Sequence, residues 1–342
     1  MPGKTFDERI DDYKDTIFAM IGFAMLFSFD DSSKSLKPDV KVAQGRRMKT
    51  SAANRATPNA EVTPDLCIQD ASNNKGLVAE IKKSFPANTK LWMDDFKQLV
   101  GYDDNLLNWL TDDGTVEEHE LALLLEQGRA RAIIRYYEEH KQEIGLVRNL
   151  IVVQFNRSDE ANPYFFFRRE HGNLKHFSAA NQHLEDGRKV PLKKLAMQFE
   201  KVKLYDSPPP LPYLLHLIWD SVVLRWASDD ERFAELKKRK LPVPVTVDGV
   251  VNELHENYSF RRFNSDNNDH QPRIPPKSWV VYALNALVVF KLAEWTNERS
   301  GECTVYFKRF KDTLKTFKEL CAEHQLDVET EEKQMELFGK AG

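Results

Sequence analysis

Pro64-Asp65-Leu66-Cys67-Ile68-Gln69-Asp70-Ala71-Ser72-Asn73-Asn74-Lys75-Gly76-Leu77-Val78-Ala79-Glu80-Ile81-Lys82 is the stretch on which the reading of this chain turns. Leu66 to Gln69 has the apolar, β-favouring character of a short strand. The run from Asp70 to Gly76 is built of turn formers, and Leu77 to Lys82 reads as the returning strand. A strand period of two sends Glu80 and Lys82 to one face and Ala79 and Ile81 to the other. The turn folds the Asp65 end back beside them. Two carboxylates and an ammonium then share one rim, although an ordinary amphipathic hairpin with a Pro-Asp turn, a surface Glu and a surface Lys explains the same letters.

That grouping suits a metal-dependent phosphodiester hydrolysis. Mg2+ and Mn2+ prefer hard oxygen ligands, so Asp65 and Glu80 would hold the ion, with the Ile81 carbonyl as a candidate backbone ligand and water completing the shell. Lys82 would stand beside the attacking water and offset charge in the transition state. A true general-base role requires an unusually low pKa, so electrostatic positioning is the safer assignment for Lys82.

A second element follows at once. Residues 90–102 carry helical periodicity and place Gln98 and Tyr102 one turn apart. The ensemble of Asp65, Glu80-Ile81-Lys82 and Gln98-x-x-x-Tyr102 resembles the PD-(D/E)xK nuclease superfamily, in particular its RecB-like branch. The resemblance covers residues 61–102, under a third of the chain, and its specificity lies in the order and spacing of short motifs. It implies an α/β fold with a restriction-endonuclease-like α/β/α core. It also implies metal binding at Asp65 and Glu80, catalysis at Lys82, and substrate positioning by Gln98 and Tyr102. Members of the family often recruit a further acidic residue from the first helix. Glu8 is the candidate here, although a helix-start carboxylate favoured by the N-terminal dipole is the simpler explanation; Glu61 is a second candidate. No histidine precedes His119, which argues against a histidine-assisted variant, and the cysteine cluster of Cas4-like members is absent.

Residues 6–29 read as a strongly apolar helix with an acidic start, and residues 40–48 as a first strand, around whose end Arg46, Arg47 and Lys49 make a basic patch. Those cations could meet phosphates or merely solvate a strand end. A long helix is expected over residues 116–140, whose Arg129, Arg131 and Arg135 could reach nucleic acid, although at helical spacing a solvated face is the simpler reading. Residues 146–155 read as a buried strand, and residues 164–169 as a strand continuing the sheet or pairing with Val152 to Phe155. Its aromatic and arginine residues could stack on bases or simply make an edge strand.

Ser207-Pro208-Pro209-Pro210-Leu211-Pro212 marks a boundary, since proline stiffens the chain and removes donors. The expected organisation is a nuclease-like domain over 1–206, a linker over 207–212, a mostly helical domain over 213–325 and an acidic tail over 326–342. Helices are expected over 213–226, before Lys240, over 246–255 and over 277–295, then a strand-like segment over 302–309 and a last helix over 311–320. Three helices followed by a strand resemble a winged-helix domain, which would place Lys277, Lys308 and Arg309 near duplex phosphates. The helix over 277–295 is so apolar that it could equally be a core or partner-binding helix.

The formal charge of −4 excludes a broadly basic nucleic-acid coat, so any nucleic-acid contact must depend on local patches and metal. Three scattered cysteines exclude a disulfide framework or a cysteine-bound zinc site. No secretion signal, membrane span, nucleotide-binding glycine loop or helicase motif is evident, and a cytoplasmic location is expected. The expected partner is nucleic acid, DNA before RNA, with a protein partner or a homo-oligomer left open. By family analogy such chains act in restriction, defence, recombination and repair.

Overall fold

The computed structural model describes residues 4–30, 35–37, 39–50, 61–82, 85, 89–111, 114–126, 128, 130–199, 202–205, 207–229, 240–258 and 275–326. The chain folds as two compact units, one holding residues 15–206 and 260–273, the other residues 1–14, 207–259 and 274–342. The architecture is mixed α/β, a central sheet flanked by helices followed by a mostly helical C-terminal region.

In the larger unit, seven strands among the described residues form one sheet: β1 (Val40–Gln44), β2 (Leu66–Asp70), β3 (Lys75–Lys82), β4 (Glu118–Glu126), β5 (Leu150–Ser158), β6 (Tyr164–His171) and β7 (Arg188–Pro191). Their order across the sheet is their order along the chain. The β1–β2 and β2–β3 pairs are antiparallel, β3–β4 and β4–β5 parallel, and β5–β6 and β6–β7 antiparallel. Each parallel step is bridged by a helix, α2 (Trp92–Tyr102) between β3 and β4 and α3 (Ala130–Ile144) between β4 and β5. Right-handed crossovers lay both on one face. Phe96, Leu99, Ile133 and Tyr137 from these helices pack there with Val78, Leu121, Leu123 and Val152 of the sheet.

The opposite face meets helix α1 (Phe6–Ser28), whose Phe18 and Phe23 rings lie 6.1 Å and 6.4 Å from Phe165 and Phe167 of β6. Helices α4 (Ser178–Asp186) and α5 (Leu192–Phe199) flank β7 in the sequence. The β2–β3 turn is closed by the Asp70 carboxylate, which accepts from Ser72 N at 3.0 Å and Asn73 N at 3.3 Å. Past the turn, Gly76 lets Trp109 approach so closely that a Cβ would stand 2.4 Å from the indole.

Two sequence expectations need correction in this unit. Residues 116–140 are not one helix: Glu118–Glu126 is the strand β4 and the helix begins at Ala130. Leu121 to Leu125 are at most 1% exposed, so this strand is covered on both faces and carries no alternation to distinguish it from a buried helix. The first strand also stops early. After Gln44 the backbone turns at Gly45 (φ 56°), and Met48–Thr50 joins a separate small sheet with Glu61–Val62 and Leu106–Leu107.

The smaller unit opens its C-terminal part with α6 (Leu211–Leu217), continued by a π-helical turn, Ile218–Val223, and α7 (Leu224–Ser228). Then come β8 (Leu241–Thr246), α8 (Val247–Tyr258), α9 (Lys277–Val289), β9 (Ala293–Asn297), β10 (Glu302–Phe307) and α10 (Thr313–Glu323). The three strands form an antiparallel sheet ordered β8-β10-β9, and Trp219 packs its ring 5.4 Å from Phe307 and 5.6 Å from Phe317. Pro242 and Pro244 occupy the exposed positions of β8, an edge strand where a missing donor is tolerated. The helix expected over 277–295 ends at Val289, because Lys291 adopts φ 55° and the chain turns into β9. The helical stretch expected before Lys240 and the acidic end beyond Leu326 lie outside the described residues. Among those that are described, no helix is long and apolar enough to cross a membrane.

Candidate active site

The site forms where β2 ends before β3 does. Backbone pairing between them begins at Leu66 opposite Ala79, so Ile81 projects past the end of β2. The Asp65 carboxylate fills that place: its Oδ2 accepts the Ile81 N–H at 2.7 Å. N–H and C=O of one antiparallel strand residue leave by the same edge, which directs the Ile81 carbonyl toward Asp65 as well. Asp65 and Glu80 are 7% and 4% exposed, unusual for carboxylates without a counter-charge at hand.

Lys82 supplies that charge. The strand period puts it on the face of Glu80, and its Nζ lies 3.2 Å from Glu80 Oε1. Helix α2 crosses above, its apolar side fixed by Trp92, Phe96 and Leu99. Its other side presents Asp95 and Gln98, and the Lys82 ammonium donates to Gln98 Oε1 at 3.0 Å and lies 3.5 Å from Asp95 Oδ1. One turn on, Tyr102 is 2% exposed; its hydroxyl accepts from Gln98 Nε2 at 2.9 Å and stands 3.0 Å from Glu80 Oε2 and 3.2 Å from the Thr63 carbonyl. The four expected side chains Glu80, Lys82, Gln98 and Tyr102 thus form one hydrogen-bonded network, and Asp65 joins it through the strand at Ile81.

The electrostatics fit this arrangement. Burial works to lower the Lys82 pKa, but Glu80, Asp95 and Asp65 outweigh it and hold the ammonium above its ordinary range. With these partners Lys82 is held in its charged form. Burial, followed by the charges of Glu80 and Asp65, pushes the Tyr102 phenol up, so Tyr102 stays neutral and acts by hydrogen bonding.

Among the described residues no group of three or more His, Cys, Asp or Glu side chains is arranged to hold a metal ion. Asp65 and Glu80 are a pair. Two carboxylates do suit Mg2+, which keeps several waters and takes its other ligands from substrate phosphate. Glu8 is engaged elsewhere. It opens α1 as half of a reciprocal cap, accepting from Thr5 N at 2.7 Å and Thr5 Oγ1 at 3.0 Å while its own N–H meets Thr5 Oγ1. Those bonds, the backbone one first, lower its pKa. Glu61 is exposed on the small sheet opposite Lys49. Of the expected basic groups, Arg46 donates to the Asn108 carbonyl at 3.0 Å, Arg168 pairs with Glu170, and Arg131 and Arg135 are exposed.

Sequence reasoning missed Asp95. Its only local signal is its place one turn before Gln98, in a segment where charged residues are common. It also missed a buried polar array at the start of β4. Here Glu120 accepts from Lys175 N and His176 N, Asp103 accepts from Val147 N and Arg148 N, and His119 Nε2 lies 2.8 Å from the Tyr102 carbonyl. Partners this distant in sequence leave no local pattern. No protein-family model, curated protein or solved structure matches this chain.

Proposed function

We propose that this protein is a metal-dependent nuclease that hydrolyses DNA phosphodiester bonds, with Asp65, Glu80, Lys82, Gln98 and Tyr102 as its working residues. The observation that carries the reading is the Glu80–Lys82–Gln98–Tyr102 network beside Asp65, two nearly buried carboxylates facing a held ammonium. A structural hairpin has no need to bury such a set. Further support comes from the antiparallel β1–β2–β3 meander followed by two helix-bridged parallel strands, as expected of a restriction-endonuclease-like core. In the smaller unit the order helix, strand, two helices, two strands supports a winged-helix reading, and with it duplex DNA over RNA.

Asp65, Glu80 and the Ile81 carbonyl would hold Mg2+ or Mn2+, which polarises the scissile phosphate and lowers the pKa of water. Lys82, fixed by its neighbours, supplies positive charge where the phosphate gains negative charge, without reorganising during the reaction. Tyr102 and Gln98 orient Glu80 and Lys82, and the packed face of α2 holds both in place. The test is cleavage by the purified chain of supercoiled DNA, linear duplex, single-stranded DNA and RNA with Mg2+ or Mn2+. Lys82→Ala should lower the rate by about 10²–10³ without unfolding the protein, the loss typical of a group that stabilises transition-state charge. Absence of cleavage across both metals and all substrates refutes the reading.

A further inference from the structure

Among the described residues, Lys82 Nζ has three oxygen acceptors within 3.5 Å: Gln98 Oε1 at 3.0 Å, Glu80 Oε1 at 3.2 Å and Asp95 Oδ1 at 3.5 Å. They match the three hydrogens of an ammonium. They do not share one fate if the nuclease reading, on which this inference rests, is right. Glu80 would then turn toward a divalent cation, and its pairing with Lys82 would weaken just as a second positive charge arrives nearby. A partly buried ammonium left without a counter-ion is costly. Asp95 sits on α2 three residues before Gln98, with its side chain 23% exposed, and it forms no metal-binding group with Asp65 and Glu80. It therefore remains with Lys82 when Glu80 is drawn away.

We infer that Asp95 is a positioning residue: together with Gln98 it takes over Lys82 from Glu80, which frees the Glu80 carboxylate for the cation and keeps the lysine aimed at the phosphate. Without Asp95, Glu80 is the carboxylate left in contact with Lys82, so the cation must compete with an ammonium for it.

The experiment is a double-mutant cycle read by calorimetric titration of the full chain with Mn2+ alone, alongside DNA cleavage. Asp95→Asn should weaken Mn2+ binding roughly tenfold, the usual scale for a group that supports a metal ligand. In a Lys82→Ala background the same change should cost less than about twofold, since the ammonium that Asp95 restrains is gone. In cleavage, Asp95→Asn should lower kcat with KM for DNA unchanged, and Asp95→Glu should restore it. An equal loss of Mn2+ affinity in both backgrounds overturns the inference, because Asp95 would then act on the cation directly. Undiminished affinity in the single variant overturns it too. If the unaltered chain takes up no Mn2+, the nuclease reading and this inference fall together; if it binds Mn2+ and only the cycle fails, the nuclease reading stands without Asp95.

Discussion

Replacing Tyr102 by Phe removes one oxygen from the middle of the site and leaves the rest of a 2% exposed side chain in place. That oxygen accepts from Gln98 Nε2 at 2.9 Å and lies 3.0 Å from the Glu80 carboxylate. Gln98 is exposed, so its amide turns to water at little cost. Glu80 is 4% exposed and cannot do so as readily, and a hydrogen bond to a charged acceptor contributes about 1.5–3 kcal/mol. Tyr102→Phe should therefore cost about 2 kcal/mol, which raises the opening equilibrium of the surrounding structure roughly thirtyfold. Hydrogen exchange of the 75–82 strand amides, read by mass spectrometry under slow-labelling conditions, reports this in the larger unit alone and avoids averaging over two units that need not unfold together. A loss of protection under roughly twofold would refute the reasoning. Combining the change with Glu80→Gln should show a coupling of about 1–2 kcal/mol; additive losses would mean that the hydroxyl stabilises something other than Glu80.

Two further outcomes concern groups elsewhere in the larger unit. Burial, then the Arg148 charge, pushes His119 down to about 4, against the opposing bond to the Tyr102 carbonyl. The unfolded chain takes up this proton first as pH falls, so the stabilisation is complete above the ordinary value of 6.5 and drains between there and about 4. The loss should reach about 3 kcal/mol, and His119→Gln should flatten the acid limb of urea midpoints measured between pH 7 and 4.5; an unchanged limb would assign it to other groups. Gly76→Ala would set a Cβ 2.4 Å from the Trp109 indole, whose N–H is held at 2.8 Å by the Leu106 carbonyl. Overpacking there should cost about 1–3 kcal/mol and lower Tm, with a changed near-ultraviolet tryptophan signal; full retention of Tm would show that Trp109 yields.

What could be read in the chain was what is written locally. The β2–β3 hairpin and α2 declare themselves locally, through turn formers, a period of two and then a period near 3.6, so Glu80 and Lys82 fall on one strand face and Gln98 and Tyr102 one helical turn apart; periodicity does not say that the two elements face each other. β4 was misread because a strand buried on both faces loses its alternation, and Leu121-Ala122-Leu123-Leu124-Leu125 has the letters of either element. Asp95 lies among Asp94 and Lys97, and only the position of Lys82 across the site distinguishes it from its neighbours. Asp103, His119, Glu120 and Arg148 are joined across tens of residues, a relation that periodicity does not encode.

The strand order of the large sheet bears on how the protein is made. Because each strand lies beside its neighbours in the chain, pairing never waits for a distant segment, and the topology favours early, local assembly. All five residues of the candidate site fall within 65–102, and the strand that covers β3 is complete at Glu126. During synthesis, which delivers the chain from its N-terminus, the network around Lys82 can close while the smaller unit is still being translated.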